Sequence, residues 1–374
     1  MAPASEYALF ERFPELAESI PTLGLGVYPS PVQPMPNVAS ALGPGHANKV
    51  WVKRDDLNNR DYGGNKVRKF ELEYATLREN GYDTVATMGG TGTNQGVAAA
   101  IFCERLGLEC SVVLYPQPIT EDVRNKLLLF HTTGCRIYRA GGAIRGLLEL
   151  RRLCRPRNVY WHAPGGSSPI GNVGFVNAGF EIAKQVEQGA MPLPDYIYVA
   201  AGTTGTFSGL LYGAHLSGLT GKGTQVVGVG VVPRVVANTW MVKWQMRRTH
   251  AFLCSRSKQF AREIPGNLPK VLIDGRQLGK GYGHATEAGV EAFELAAEDD
   301  LELELTYTAK TLAAMLDRLR KEPGRTALFW VTHHTGDLSG YWKGADYREL
   351  PKEFHYVYEG ELDYCWSELL GRPW

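Results

Sequence analysis

From about residue 83 the chain alternates short apolar runs with longer stretches in which apolar positions recur every three or four residues. "DTVATM" is a β-rich run, "GGTGTN" a glycine turn, and "QGVAAAIFCERLG" a helical stretch that stops at glycine. "CSVVLY" precedes "TEDVRNKLLLFHTTG", whose Thr120 and Asp122 suit a helix start, and "CRIYRA" precedes "IRGLLELRRL". A second series opens with "DYIYVAAGTTGTFSGLLYGAHL" and runs into "TQVVGVGVV". Repetition of strand, glycine loop, helix and strand predicts an α/β chain whose sheets are mainly parallel and flanked by helices.

Between the two series lies "APGGSSPIGNVGFVNAGFEIAKQV", rich in Gly, Ser and Pro at its start and helical afterwards. It reads as a crossover between two sheet domains, with a boundary near Gly165. No fixed-period repeat or low-complexity tract interrupts the pattern.

Composition narrows the partners. The 40 basic and 39 acidic residues leave a net charge of +1, so nothing global draws the chain to nucleic acid or an anionic membrane, and anion recognition has to be local. The start "MAPASEYALFERFPEL" lacks the basic-then-apolar order of a secretory signal, and no window approaches a membrane span. The six cysteines show no paired spacing, which implies reduced thiols, no metal ligand set and a cytoplasmic protein.

Three stretches carry candidate chemistry. In "YGGNKVRKFELEY" two glycines precede Lys66, and Lys69 follows at a spacing that lets both amines face one site at a helix start. "AAGTTGTFSG" sits between a strand and a helix, where backbone N–H groups and the helix dipole suit a phosphate. It is neither a dinucleotide fingerprint nor a Walker loop. "MGGTGTNQG" opens another helix and presents Thr93, Asn94 and Gln95 to a carboxylate or carbonyl oxygen. Each has a plain structural reading beside the functional one: a solvated lysine, a βα turn without ligand, and an N-cap.

Together, a reactive lysine, a phosphate loop and a carboxylate loop match what pyridoxal phosphate chemistry needs. The chain resembles the fold-type II pyridoxal-phosphate enzymes, which are tryptophan synthase β-like. Among them it resembles the family of 1-aminocyclopropane-1-carboxylate (ACC) deaminase and D-cysteine desulfhydrase. The matching pieces, in family order, are "KRDDL", "GGNKVRK", "GGTGTNQ", "PGGSSPIGNVGFVNAGFEI", "GTTGT" and "HTGD". The resemblance implies two αβα domains, residues 1–66 with 166–374 as the large cofactor-binding domain and 67–165 as the small one, with the cofactor in the cleft between. It makes Lys66 the Schiff-base lysine and proton carrier, and Lys69 a phosphate ligand beside Thr204, Gly205 and Thr206. Thr93, Asn94 and Gln95 stand where the family holds the substrate carboxylate, with Asn94 also near the phenolic oxygen of the cofactor ring. Tyr282 and Tyr307 match the two active-site tyrosines. A homodimer or larger homo-oligomer is the family's habit.

Two positions bear on the reaction. ACC deaminases carry glutamate directly after the second tyrosine and leucine in a "HLGG" string; here these are Thr308 and Thr335. A hydroxyl does not hold a pyridinium nitrogen protonated as a carboxylate does. Both threonines side with the desulfhydrase branch, so the expected reaction is α,β-elimination from D-cysteine or another β-substituted amino acid, giving a 2-oxo acid and ammonia. The alternatives are ACC ring opening, β-replacement in specialised biosynthesis, and a non-catalytic cofactor-binding role. Departures from the family include Thr93 for serine, Gly96 and Val97 after the loop, and Asp337 for glycine. Two segments also differ: "PRVVANTWMVKWQMRRTH", expected to be a helix with its aromatic face on the core or lining the substrate entrance, and the aromatic tail after Gly340, expected to wrap on the large domain, form a dimer contact or cover the site.

Overall fold

The computed structural model describes residues 7–47 and 49–363. Its strands in chain order are β1 (Val32–Pro34), β2 (Val50–Arg54), β3 (Thr84–Gly90), β4 (Glu109–Tyr115), β5 (Arg136–Arg139), β6 (Val159–Trp161), β7 (Tyr196–Ala201), β8 (Gln225–Gly230), β9 (Leu272–Asp274) and β10 (Ala327–Val331). The longer helices are α1 (Asn65–Glu79), α2 (Asn94–Leu106), α3 (Glu121–Thr132), α4 (Ala143–Leu153), α5 (Pro169–Glu187), α6 (Gly205–Leu216), α7 (Thr239–Arg256), α8 (Glu287–Ala297) and α9 (Thr308–Leu319). Helices α2 and α3 start where side chains can satisfy free amides: Thr93 accepts from Gly96 N at 3.2 Å and Thr120 from Val123 N at 3.3 Å.

The chain divides into two compact units, one running to Thr76 and from Gly166 to Thr335, the other from Leu77 to Gly165 and from Gly336 onward. The first contains a six-stranded sheet in the order β1-β2-β10-β7-β8-β9, parallel except for the β1–β2 pair. The second contains a four-stranded parallel sheet, β5-β4-β3-β6. Among the described residues no helix is long and apolar enough to cross a membrane. The five described cysteines are free thiols.

Beside the first sheet lies a buried charge network built from "KRDDL" and "GGNKVRK". Arg68 on α1 pairs with Asp55 at 2.7 Å and Glu181 at 2.8 Å, Lys53 on β2 pairs with Glu181 at 2.5 Å, and Trp330 on β10 donates to Asp55 at 2.7 Å. All five residues are buried. Burial alone would raise the Glu181 carboxyl, but Arg68 and Lys53 outweigh it and hold the pKa at about 2. The network ties α1, β2, α5 and β10 together, and so fixes the direction in which α1 presents its other face.

Two expectations change. The tail belongs to the second unit rather than to the first: the Arg124 guanidinium donates to the Val357 carbonyl at 2.9 Å and the Gly360 carbonyl at 2.7 Å, Tyr358 donates to the Arg124 carbonyl at 2.6 Å, and Phe354 and Val357 are buried. It therefore packs on α3; residues 364–374 of that tail lie outside the described residues. In addition, α7 turns its tryptophans outward. Trp240 is 66% and Trp244 38% exposed, stacked with an interplanar angle of 10°, while Val242, Gln245, Met246, Thr249 and Leu253 form the buried face.

Candidate functional site

In the first unit, the glycine pair before Lys66 threads a gap with no room for side chains. A Cβ on Gly63 would lie 1.8 Å from the Asp56 carbonyl oxygen. Gly64 has φ +106° and a Cβ there would lie 2.8 Å from the Thr332 carbonyl oxygen. Gly63 N–H donates to His334 Nδ1 at 2.9 Å, Gly64 N–H to the Asp55 carbonyl at 2.7 Å, and Asn65 N–H to the Thr332 carbonyl at 3.1 Å. His334 stacks on Tyr62 with ring centroids 4.7 Å apart. Burial pushes its pKa down to about 4, only partly opposed by Asp56, so at neutral pH it is the neutral ring that accepts from Gly63.

This turn starts α1 with Lys66 partly buried and Lys69 fully buried. Burial lowers Lys66 to about 8, with Glu73 pulling the other way. Lys69 is lowered well below its ordinary value by burial and then by Lys66. A buried amine depressed further by a neighbouring one marks a place short of negative charge, which a phosphate dianion would relieve.

Gly202–Thr204 connect β7 to the twelve-residue α6, which Gly205 and Thr206 open. Asn65 from the lysine helix donates to Thr206 Oγ1 at 3.1 Å. Thr204 has φ +67°, a conformation unusual for a β-branched residue. A Cβ on Gly205 would lie 2.5 Å from Ser167 Oγ and 2.7 Å from Asn172 Oδ1, so bare backbone is required where α6 begins. A helix N-terminus hydrogen-bonded to the residue that precedes Lys66 is a fitting receptor for a phosphate, and the residues present fit the cofactor expected from the motifs.

The remaining first-unit candidates gather from distant segments. Tyr307 OH donates to Tyr282 OH at 2.9 Å with ring centroids 5.8 Å apart, and a Cβ on Gly202 would lie 3.3 Å from the Tyr307 ring. Thr308, at the first turn of α9, accepts from Glu304 N–H at 2.9 Å. The Thr335 hydroxyl donates to Asp56 at 3.0 Å.

Thr93, Asn94 and Gln95 belong to the second unit, at the start of α2. Thr93 caps the helix, Asn94 Oδ1 accepts from Lys126 at 2.7 Å, and Gln95 donates to the buried His162 ring at 3.0 Å.

Sequence reasoning passed over several residues that shape these places. Glu304 accepts the backbone N–H groups of Thr306, Tyr307 and Thr308 at 2.8, 2.7 and 2.7 Å, capping α9; an acid shortly before a helix was the available signal. Fully buried Lys310 donates to the carbonyls of Leu278 and Gly281 at 3.0 and 3.3 Å, bracing the segment that leads to Tyr282. Burial lowers its pKa to about 8, against the pull of Glu304. Gln245 and Asn172 gave no local signal.

Comparison with known proteins identifies the family. The profile of a family described as pyridoxal-phosphate dependent enzymes matches residues 23–333. A Pyrococcus horikoshii protein provisionally named 1-aminocyclopropane-1-carboxylate deaminase is 30% identical over 351 residues, covering 89% of this chain and 95% of its own. The D-cysteine desulfhydrase of Salmonella schwarzengrund is 30% identical over 314 residues, covering 81% and 89%. A crystal structure of an ACC deaminase homologue superposes with a TM-score of 0.70 at 27% identity, covering 90% of this chain and 96% of that one. The chain belongs to the pyridoxal-phosphate dependent enzyme family and takes pyridoxal 5'-phosphate as its cofactor.

Proposed function

We propose that this enzyme eliminates a β substituent from a small amino acid, with D-cysteine as the representative substrate. The carrying observation is the residue after the second tyrosine: Thr308, whose hydroxyl is already engaged by Glu304 N–H at 2.9 Å, stands where ACC deaminases have a carboxylate. The two relatives, equally identical, bear different activity names, so this position rather than overall identity supports the choice.

In this reading Lys66 would hold the cofactor covalently, Lys69 and the backbone and hydroxyls of Thr204, Gly205 and Thr206 would hold its phosphate, and Thr308 and Thr335 would border its ring. Asn94 would serve its phenolic oxygen. Bound there, the cofactor withdraws electrons from the substrate Cα. Thr93, Asn94 and Gln95 are proposed for the substrate carboxylate. A pKa near 8 leaves Lys66 able to take the Cα proton at mildly alkaline pH. The Tyr282–Tyr307 hydroxyl pair offers a proton to the departing sulfur as the Cβ–S bond breaks. The products of D-cysteine and water are then pyruvate, hydrogen sulfide and ammonia, which balances. With free thiols and no helix able to cross a membrane among the described residues, we place the enzyme in the cytoplasm, as a homodimer or larger homo-oligomer to be checked by light scattering.

The test is to incubate the holoenzyme with D-cysteine, L-cysteine, β-chloro-D-alanine and ACC in turn, measuring pyruvate, 2-oxobutyrate and ammonia. Pyruvate from β-substituted substrates, abolished by Lys66→Ala, is the expected result. 2-Oxobutyrate from ACC would overturn the weight placed on Thr308. Added thiol incorporated at Cβ would mark β-replacement, and no turnover of any substrate would favour a binding role.

A further inference from the structure

We infer that Gln245, on α7, is a positioning residue that sets the phosphate loop. Its side-chain nitrogen donates to the Thr203 carbonyl at 2.7 Å and to Thr204 Oγ1 at 2.9 Å. Thr204 is one of only two non-glycine residues with positive φ among those described. A β-branched residue stays in that conformation only when its surroundings over-determine it. Gln245 supplies that determination by gripping the chain on both sides of the Thr203–Thr204 peptide.

The grip has a defined direction. A carbonyl oxygen can only accept, so Gln245 must present nitrogen to Thr203, which leaves its Oε1 facing Asn172. Asn172 must then present its own nitrogen, found 3.2 Å from Gln245 Oε1 and 3.3 Å from Thr249 Oγ1. Gln245, Asn172 and Thr249 are 4%, 1% and 1% exposed, so water does not substitute for the missing bond if one amide is removed. On the opposite side Ser167 and Thr203 share a hydroxyl hydrogen bond of 2.7 Å. The same Asn172 whose Oδ1 closes the space beside Gly205 is thus oriented by Gln245. One amide relay from a helix roughly forty residues downstream fixes both the backbone twist and the bare approach at the loop.

The inference rests on residues 202–206 being the phosphate loop, and its test separates the two claims. Apoenzyme is titrated with pyridoxal 5'-phosphate and, separately, with pyridoxal, which lacks the phosphate, following visible absorbance; folding of each variant is checked by circular dichroism and thermal melting. Gln245→Leu is expected to weaken pyridoxal phosphate binding roughly tenfold or more while leaving pyridoxal affinity within about twofold. In a Thr204→Gly background, where glycine adopts positive φ without strain, the same change costs less than about threefold. Asn172→Ala weakens binding in the same selective way, is not additive with Gln245→Leu, and keeps the test open if Gln245→Leu fails to fold. An unchanged affinity in folded Gln245→Leu, an equal loss for both ligands, or an equal cost in the Thr204→Gly background would overturn the role of Gln245. Gly205→Ala is the control for the loop: a folded variant with intact pyridoxal phosphate binding would overturn the loop assignment itself.

Discussion

Glu304 and Thr308 meet at the first turn of α9, where the Glu304 carboxylate accepts the Thr308 backbone N–H at 2.7 Å while the Thr308 hydroxyl accepts the Glu304 N–H at 2.9 Å. The place after the second tyrosine thus already has a carboxylate as its immediate neighbour, spent on capping the helix. Thr308→Glu would set a second carboxylate against it in a buried position. The expected result is a loss of about 2 kcal/mol at pH 8 and a smaller one at pH 5, because crowded carboxylates bind a proton more readily folded than unfolded. Urea denaturation at the two pH values measures it; an equal loss at both would mean that size rather than charge is responsible.

His334 links pH to the turn that presents Lys66. Its folded pKa of about 4 lies below the ordinary 6.5, so the unfolded chain takes up the proton first as pH falls. Its contribution is complete above pH 6.5, is lost between 6.5 and 4, and levels off below. His334→Asn should flatten the stability of the apoenzyme over that window by about 1–3 kcal/mol relative to wild type. Superimposable pH profiles for the two proteins would show that the Gly63 hydrogen bond to Nδ1 is not what titrates.

The glycine pair is predicted to tolerate nothing larger. Gly63→Ala drives a methyl into the Asp56 carbonyl, and Gly64→Ala adds left-handed strain to a 2.8 Å approach to the Thr332 carbonyl. Losses of about 2–4 kcal/mol are expected for the first and about 1–3 kcal/mol for the second. Chemical denaturation and the yield of cofactor-loaded protein would read both, and a fully stable Gly63→Ala protein would contradict the geometry described.

Removing Arg68 leaves Asp55 and Glu181 buried without their main counter-charge. Arg68→Met should cost about 3–5 kcal/mol. The Glu181 carboxyl, no longer held near 2 by Arg68, then titrates at higher pH, so the variant's deficit is largest at neutral pH and shrinks on mild acidification. A deficit that grows on acidification would show that an uncompensated Glu181 carboxylate is not what destabilises the variant.

Periodicity and turn chemistry by themselves determined the local elements: β3, β4, β5, β7 and β8 with α2, α3, α4 and α6 all fall where apolar runs and caps put them. Motif order also determined the candidate lysines, the two helix-opening loops and the tyrosines, because reactive groups need particular residue types at particular spacings. Tertiary structure decided what no local window contains. The buried strand "ALFWV" becomes β10 and enters the sheet between β2 and β7, because its place depends on pairing with residues some 280 and 130 positions away. The tail joins the second unit through Arg124, and α7 buries Gln245 and exposes its tryptophans. A hydrogen bond such as that from Gln245 to Thr203 is invisible in sequence because a glutamine carries no periodic or compositional sign of its partner. Only packing, which removes water from both ends of the contact, makes that one pairing obligatory.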